Sequence, residues 1–272
     1  MGLLRDIWLG GSGDLITTAW SIALSLLVNG SIGLFLLRGG RSPRSLTRAG
    51  VVHAGVLGWI LMTCVGISGW ILCAAFLVAG SLLTKVGRER KLAEGTYESR
   101  QGARGPENVW GAGLFPAVIA IALASFQLIP NTPNTWIDVI RVGYTAALAT
   151  KMWDTTASEI GKAYGSTTIL ITTLSSVPRG TEGGVSVEGT AAGVAASLII
   201  TLLSWSFKAL PGVKSIPIVV TAATTANIIE AVIGSTLQGS HQLSNELVNV
   251  INTFSGAVLS MGLSAVSNQL SH

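Results

Sequence analysis

Long apolar runs alternate with short polar segments along the chain. A helix needs about 20 predominantly apolar residues to cross the hydrocarbon core of a bilayer. Five runs meet this length, and each predicts one transmembrane helix: 15–37, 109–129, 189–207, 215–237 and 247–267. The pattern therefore predicts a helical protein that crosses a membrane several times.

The apolar run 49–83 is too long for one ordinary span. Its middle contains the small residues Gly66, Ser68 and Gly69, which favour a tight turn because glycine adopts backbone conformations closed to other residues. This run predicts two short spans.

Residues 137–152 predict a weaker span. Asp138 and Arg141 stand three apart near one end of it, where a paired or snorkelling charge costs least. The expected total is seven or eight spans.

Composition supports this pattern. Hydrophobic residues make up 49% of the 272 residues and charged residues 11%, with a mean hydropathy of +0.59, whereas soluble domains carry roughly a quarter charged residues. The predicted fold class is an all-α integral membrane protein, a bundle of seven to eight transmembrane helices in one domain over 1–272, with cytoplasmic polar loops forming the site. Cys64 and Cys73 lie inside apolar runs, which favours packing over a disulfide or a zinc site.

Basic residues are concentrated on both sides of the run 49–83. The preceding segment carries Arg38, Arg41, Arg44 and Arg48, and the segment 84–108 carries six basic residues. Cytoplasmic loops collect Lys and Arg, so both segments are expected in the cytoplasm, and continued counting places 151–189 there too. The net charge of +4 arises from the basic residues of these loops. No nucleic-acid-binding module is visible in the sequence. Near Arg5 and Asp6 no cleavage site is present, so the first span is expected to be retained.

The basic segment 84–108 contains four glutamates besides its six basic residues, whereas a polybasic lipid anchor would lack the acids. Arginine suits bidentate phosphate binding, and Gly102 and Gly105 let the backbone beside Arg104 approach a ligand closely. The candidates for phosphate binding are Lys85, Lys91, Arg104 and Asn108. An ordinary solvated loop is the alternative.

Carboxylates and hydroxyls are interleaved after the weaker span. Asp154 and Glu159 offer the oxygen ligands that hold Mg²⁺ beside substrate phosphates. They are five residues apart, roughly 140° around a regular helix, so one shared ion requires a break at Thr155 or Thr156. The alternatives are two separate ions, or a capping box in which Glu159 reaches back to Thr156. Further candidates for phosphate binding in this segment are Lys151, Thr155 and Ser158.

A glycine-rich segment follows the strand-like residues 168–173. Its candidate residues are Arg179, Gly180, Thr181, Gly183, Gly184 and Ser186. A glycine-rich turn that leads into a helix starting near Ser186 aims backbone N–H groups at a phosphate, and Arg179 adds charge. No Lys precedes a hydroxyl residue, so this is not a Walker A motif. A plain turn is the alternative.

Two pairs of polar residues lie in or beside the last two apolar runs. Asn227 and Glu230 are three apart, and Asn245 and Asn249 are four apart, so each pair shares a helix face. Such groups are costly in a bilayer unless they form a site or bridge helices by hydrogen bonds. Both interpretations are open.

The segments 154–161 (DTTASEIG) and 178–190 (PRGTEGGVSVEGT) combine with the basic segment and the polar tail into one pattern. This combination resembles the phytyl-phosphate kinase family of integral membrane proteins over roughly residues 45–265. The chain departs from the family pattern at Thr156, where an aromatic residue is common, and at Ala103, where Arg or Gly is common.

The resemblance implies phosphoryl transfer from a nucleoside triphosphate, often CTP in related lipid kinases, to phytyl monophosphate. The product, phytyl diphosphate, is a prenyl donor for tocopherol and phylloquinone synthesis in oxygenic phototrophs, which implies a plasma or thylakoid membrane. Such transfer depends on positioning and charge neutralisation. We expect Asp154 and Glu159 to hold Mg²⁺, and the turn 180–186 to bind nucleotide phosphates. The residues expected to neutralise the transferring and acceptor phosphates are Arg104, Lys91 and Arg179.

Two other classes of function remain open. A transporter of a small anion or lipid would use Asn227, Glu230 and Asn249 as a mid-membrane site, although no internal repeat of the kind common in transporters is visible. A scaffold that binds anionic lipid through its basic loops leaves Asp154 and the glycine-rich segment unexplained.

Overall fold

The computed structural model of the chain describes residues 15–38, 45–238 and 242–270. Its helices, in chain order, are α1 (Leu15–Arg38), α2 (Arg48–Leu83), α3 (Arg88–Ala93), α4 (Pro106–Leu128), α5 (Asn134–Tyr164), α6 (Val187–Ser206), α7 (Ser215–Ile233) and α8 (Asn245–Leu270). A 3₁₀ turn at Ser99–Gly102 follows α3, and a π-helical turn at Gly234–Gln238 extends α7. Arg5, Asp6, Arg41 and Arg44 lie outside the described residues, together with the predictions made for them. The predicted helical class is confirmed.

Six of the described helices are long and apolar enough to cross a membrane: α1, α2, α4, α6, α7 and α8. The sequence predicted seven or eight spans. The count of six takes 49–83 as one element, α2, although two helices meet there at the non-helical residue Gly66. Helix α5, with 31 residues, carries charged side chains along much of its length and is not among the six.

Helix α2 folds back on itself at Gly66, as predicted. Gly66 has a φ of 71° and a ψ of −173°, a conformation that is strained for residues with a Cβ. Gly50 and Gly80 both lie against Arg104, although a straight helix would separate them by about 45 Å. The two halves of α2 therefore run side by side.

Helix α5 is the centre of the bundle and packs against α2, α4, α6, α7 and α8. Small residues allow this close approach: a Cβ at Gly143 would meet the sulfur of Met261 on α8 at 2.8 Å, and one at Gly193 on α6 would meet the Trp153 ring at 2.6 Å. The helix runs to Tyr164, so the polar segment 151–189 is helical in its first part instead of being a loop.

The interior of α5 is regular where the sequence analysis allowed for a break. Thr155 and Thr156 lie inside the helix, and Glu159 is also an interior residue. The capping box from Thr156 to Glu159 is therefore wrong, because neither residue is at a helix start. A single ion held by both Asp154 and Glu159 would require a break in the helix at Thr155 or Thr156, and the helix has none there.

The polar segments meet at one end of the bundle. The backbone of Arg104 pairs with the chain before α2, accepting from Thr47 N and donating to Ser45 O, both at 3.0 Å. Arg90 donates to the carbonyl of Ala163 at 3.0 Å, which attaches α3 to the end of α5. The expectation that three polar segments share one face is consistent with this, and which side of the membrane they face stays a prediction.

A small antiparallel sheet stands between α5 and α6. Its strands are β1 (Thr168–Leu170), β2 (Ser176–Val177) and β3 (Gly184–Val185), in the order β2-β1-β3. Ile169 pairs with Ser176 on one side and with Val185 on the other. The strand-like stretch 168–173 is thus a strand only in its first half, and the sheet fixes the glycine-rich turn beside α5.

Candidate active site

A cavity of about 810 Å³ lies at the polar end of the bundle and continues between α1 and α2. Its wall contains most of the site residues predicted from the sequence: Arg104, Asn108, Lys151, Asp154, Thr155, Ser158, Glu159, Gly180, Thr181, Gly183, Gly184, Ser186, Asn227, Glu230, Asn245 and Asn249. Segments far apart in the chain are therefore brought to one place.

Asp154 is at the centre of the polar part of this cavity. Its carboxylate is paired with the ammonium of Lys151, and the hydroxyl of Ser158 donates to it at 3.5 Å. The Lys151 ammonium also donates to Oδ1 of Asn249 on α8. The carboxyl group of Glu230 on α7 lies close enough to Asp154 to interact directly with it. Side chains from three helices thus meet around Lys151.

Glu159 points to a different partner. Its carboxylate forms a buried ion pair with Lys91, which is itself 0% exposed. The Lys91 ammonium also donates to the carbonyl of Thr84 at 2.7 Å and lies 5.5 Å from the centre of the Tyr97 ring. Lys91 lies outside the cavity wall, so its charge serves to hold Glu159 and to fix α3 against α5.

Arg104 stands where the polar and apolar parts of the cavity meet. Its guanidinium lies over the ring of Phe76 at 5.7 Å and beside Gly80, whose lack of a side chain leaves room for it. No hydrogen bond from this guanidinium to another described residue is present, so its donors are available to a ligand. Burial lowers the pKa of Arg104. The carboxylates that oppose this shift are those of Glu98, Glu159 and Asp154.

The glycine-rich turn packs against the end of α7. Gly180 and Gly183 have φ values of 82° and 73°, and a Cβ at Gly183 would collide with the backbone of Ser235. Thr181 N donates to Pro178 O at 3.3 Å and Gly184 N to Thr181 O at 2.9 Å. Among the described residues no acceptor is bonded to the N–H groups of residues 180, 182 and 183, which leaves them for an anion.

Ser186 is the N-cap of α6, as the sequence predicts for a helix that starts there. Its hydroxyl accepts from the N–H of Gly189 at 3.1 Å. The first turn of α6, with Gly189 and Thr190, borders the cavity. The positive end of the helix dipole therefore faces the same space.

Asparagines connect α5, α7 and α8 beneath the site. Asn227 donates to the carbonyl of Thr150 at 3.2 Å, and Asn252 donates to Oδ1 of Asn227 at 3.2 Å and to Oε2 of Glu230 at 2.7 Å. Asn227 and Glu230 therefore bridge helices and also line the cavity, and their role in a site stays a prediction.

Two further predicted residues lie outside the cavity wall. Lys85 is exposed on the surface. Arg179 binds Glu94 through two hydrogen bonds of 3.1 and 2.6 Å and donates to the carbonyl of Gly165 at 2.7 Å. The pKa of Glu94 is lowered chiefly by this Arg179 contact. Arg179 thus joins the sheet to α3 instead of facing the cavity.

Comparison with known proteins shows which family the chain belongs to. The family described as "Integral membrane protein DUF92" matches residues 31–268. The chain belongs to the DUF92 family. The family resemblance drawn from the sequence motifs is confirmed, and so is the prediction of a multi-pass integral membrane protein.

Several relatives of this DUF92 protein are known. It is 46% identical over 223 residues to an uncharacterized membrane protein of Synechocystis sp., covering 82% of this chain and 84% of that protein. It is 35% identical over 231 residues to the chloroplastic protein VTE6 of Arabidopsis thaliana, covering 84% and 68%. An uncharacterized membrane protein of Methanocaldococcus jannaschii is 28% identical over 246 residues, covering 90% and 95%. No solved structure matches the chain.

In this DUF92 protein the sequence analysis missed Lys162 in the cavity wall and Asn252 beneath it. Lys162 lines the cavity and lies 3.7 Å from Glu98. Asp154, Ser158 and Lys162 follow one another at four-residue intervals, so the helical period could have found Lys162. Asn252 shares the face of Asn249 at a spacing of three, and the same argument would have identified it.

The groups around Asp154 include oxygen donors of the kind that bind Mg²⁺. Mg²⁺ is commonly held by one or two carboxylates together with substrate phosphates. The described residues contain no cluster of three or more metal-ligating side chains. The available oxygen donors are the carboxylates of Asp154 and Glu230 and the amide of Asn249, with Lys151 between two of them.

Proposed function

We propose that this DUF92 protein is a membrane lipid kinase that transfers a phosphoryl group from a nucleoside triphosphate, with CTP as the expected donor, to phytyl monophosphate. The observation that carries the proposal is one cavity with two chemically different parts: a polar part around Asp154, Lys151 and Arg104, and an apolar part between α1 and α2. An amphiphile with a phosphate head and a hydrocarbon tail matches both. The similarity to VTE6 and the motifs shared with phytyl-phosphate kinases support the same class.

The proposed reaction forms one bond and breaks one. An oxygen of the acceptor phosphate attacks the terminal phosphorus of the nucleotide, and the bond from that phosphorus to the bridging oxygen breaks, giving phytyl diphosphate and a nucleoside diphosphate. A phosphate monoester is already anionic near neutral pH, so the site needs no strong base. It needs positive charge and donors that bring two anions together.

The chain's own residues supply these groups. Arg104, at the boundary of the two parts, is assigned to the acceptor phosphate, because its guanidinium has free donors and an apolar neighbour in Phe76. The N–H groups of the turn 180–183 and the start of α6 are assigned to the nucleotide phosphates. Lys151 and Lys162 add positive charge on the α5 side.

Mg²⁺ is the proposed cofactor, held by Asp154 and Glu230. When bound, the ion would neutralise phosphate charge and orient the nucleotide. The sequence analysis proposed Glu159 as the second metal ligand. We propose Glu230 instead, because Glu159 forms an ion pair with Lys91 whereas Glu230 lies beside Asp154. The polar end is proposed to face the cytoplasm or its equivalent, in keeping with the basic residues there.

The test uses purified full-length protein in lipid nanodiscs, incubated with phytyl monophosphate, Mg²⁺ and each of the four nucleoside triphosphates. Mass spectrometry is expected to detect phytyl diphosphate with one preferred donor, and Arg104→Gln is expected to lower kcat/KM by about a hundredfold, as for loss of a charge-stabilising donor. Lys85→Gln is the matched control, since it removes a positive charge outside the cavity. Absence of diphosphate with every donor would contradict the proposal.

The transport alternative makes a different prediction for the same preparation. Its candidate residues Asn227, Glu230 and Asn249 open into the polar part of the cavity and are hydrogen-bonded to neighbouring helices. A transporter would bind the lipid phosphate without converting it and would move it across liposomes. Flux without product would therefore favour transport.

A further inference from the structure

The part of the cavity between α1 and α2, here called the apolar arm, is not used by the phosphate chemistry. Its wall contains side chains such as Leu36, Leu57, Cys73, Ala74 and Leu77. No charged side chain is present in the wall that the described residues of α1 and α2 form. The arm is continuous with the polar part at Arg104, so a ligand held there by its phosphate would extend its apolar portion into the arm.

At the far end of the arm, a hydrogen bond between side chains joins α1 to α2 and closes the arm. Asn29 accepts a hydrogen bond from the indole N–H of Trp70 at 3.1 Å and donates to the carbonyl of Ser25 at 2.8 Å. Gly58 packs so tightly here that a Cβ would collide with Oδ1 of Asn29. These contacts lie near the bend of α2 at Gly66, away from Arg104, and give the arm a fixed end.

The length of the arm suits the greater part of an isoprenoid chain of about twenty carbons. From Trp70 in the wall to Gly80, which lies against the Arg104 guanidinium, the second half of α2 rises by about 15 Å at 1.5 Å per residue. An extended phytyl chain, with sixteen carbons along its main chain, spans roughly 19 Å for C–C bonds of about 1.5 Å. Most of such a chain fits in the arm, and its first carbons would lie beside Arg104.

Two residues of the arm are also exposed. Ile32 on α1 and Val78 on α2 belong to its wall and are 42% and 60% exposed. We expect an isoprenoid chain to enter sideways between these two helices, because a membrane-dissolved lipid phosphate has to enter from the bilayer.

Two glycines keep the arm open. Gly33 on α1 and Gly55 on α2 both line it, and a Cβ added at either would meet no atom within 4 Å. We therefore expect a larger side chain at either position to take up space in the arm. We infer that the apolar arm binds the isoprenoid chain and that Gly33 and Gly55, with the Asn29–Trp70 closure, determine the longest chain accepted. This inference rests on the proposed function for the chemistry at the head group.

The test is chain-length selectivity in Gly33→Leu and Gly55→Leu. Both variants and the wild type are assayed with geranyl, farnesyl and phytyl monophosphates. The ratio of kcat/KM for phytyl over geranyl phosphate is expected to fall at least about tenfold, because even one excluded methylene is worth that much in a tight pocket. The geranyl value is expected to change less than the phytyl value, because the shorter chain fills less of the arm.

Gly30→Leu is the matched control. Gly30 lies on the same helix as Gly33, within one turn, has no atom within 4 Å of an added Cβ and is outside the cavity wall. This variant is expected to keep the wild-type ratio. Equal ratios in Gly33→Leu and Gly30→Leu would overturn the inference while leaving a kinase activity of the wild type intact.

A second measurement does not depend on activity or on the leucine variants. Wild-type protein is photolabelled with a phytyl phosphate analogue that carries a diazirine at the end of its tail. Labelling is expected in the segments around Asn29 and Trp70, and labelling confined to α4 to α8 would overturn the inference. Correct labelling without diphosphate formation would refute the proposed kinase but retain the tail site.

Discussion

The two parts of the cavity are built on opposite principles. In the polar part Lys151 and Lys162 each have a carboxylate partner before any ligand is bound. The apolar arm has no charged side chain among its described residues, and Gly33 and Gly55 leave space within it. The first is preorganised, so its dipoles and charges need little rearrangement during a reaction, whereas the second offers apolar contact area to a ligand. Changes in the polar part should therefore affect turnover, and changes in the arm should affect selectivity.

The largest expected effect is that of Asp154→Asn. Asp154 is the carboxylate on which Lys151, Ser158 and Glu230 converge, so losing its charge should lower kcat by about 10³-fold while the lipid phosphate still binds through Arg104 and the arm. Turnover is measured at saturating Mg²⁺, and lipid binding is measured by displacement of a fluorescent isoprenoid.

The control for this change is Asp138→Asn, the same substitution in the first turns of α5 and outside the cavity wall. Wild-type turnover in Asp154→Asn would remove Asp154 from the site. An equal loss of turnover in both variants would mean that any loss of a carboxylate on α5 impairs the protein, whatever its position.

The second effect separates a positioning role of Lys91 from a phosphate-binding role. Lys91→Met leaves the buried Glu159 carboxylate without its partner, which is expected to reduce the free energy of unfolding by about 3 kcal/mol. Combining it with Glu159→Gln removes the stranded charge and should restore most of the lost stability. Melting temperatures in detergent measure both changes.

If Lys91 bound phosphate directly, the result would differ. Turnover would fall in Lys91→Met with an unchanged melting temperature, and Glu159→Gln would not correct it. Either observation would support the phosphate-neutralising role that the sequence analysis predicted for Lys91.

These contrasts also explain how much of the molecule the sequence predicts. The turn at Gly66 and the helix start at Ser186 depend on local chemistry, a glycine among small residues and a hydroxyl cap, and both were predictable. The apolar runs fixed the helical membrane class for the same reason, since about 20 apolar residues have few alternatives to a spanning helix.

The continuation of α5 to Tyr164 was not predictable in this way. The charges of Lys151, Asp154 and Glu159 resemble a solvated loop until their partners are known, and those partners come from distant parts of the chain. Glu159 meets a lysine 68 positions away, and Lys151 meets an asparagine 98 positions away. The replacement of Glu159 by Glu230 as the neighbour of Asp154 likewise depends on how α5 and α7 pack, for which the sequence contains no local signal.

The third effect concerns the glycine-rich turn. Gly183→Ala places a Cβ at a φ of 73° and against the backbone of Ser235, which is expected to cost about 2 kcal/mol of strain and to raise the KM for the nucleotide. Gly95→Ala is the control, because Gly95 has a φ of 68° but no atom within 4 Å of an added Cβ. Its cost should be about 1 kcal/mol from backbone conformation alone. An unchanged nucleotide KM in Gly183→Ala would mean that the turn does not hold the nucleotide.

The smallest effect is a pH dependence from Glu182, which lies in the turn and in the cavity wall. Burial raises its pKa, an effect that Lys162 opposes and Asp154 reinforces. The folded protein therefore holds this proton more tightly than the unfolded chain, so stability falls as pH rises from the usual carboxyl value of 4.5 through the raised pKa. Glu182→Gln should remove this fall and be more stable than the wild type at neutral pH, by less than about 1 kcal/mol because the side chain is exposed and screened. Glu94→Gln should show the opposite sign, since Arg179 lowers the pKa of Glu94 and its stabilisation is lost as pH falls. Parallel melting curves for the two variants across this pH range would contradict the placement of Glu182 beside Asp154 in the cavity wall.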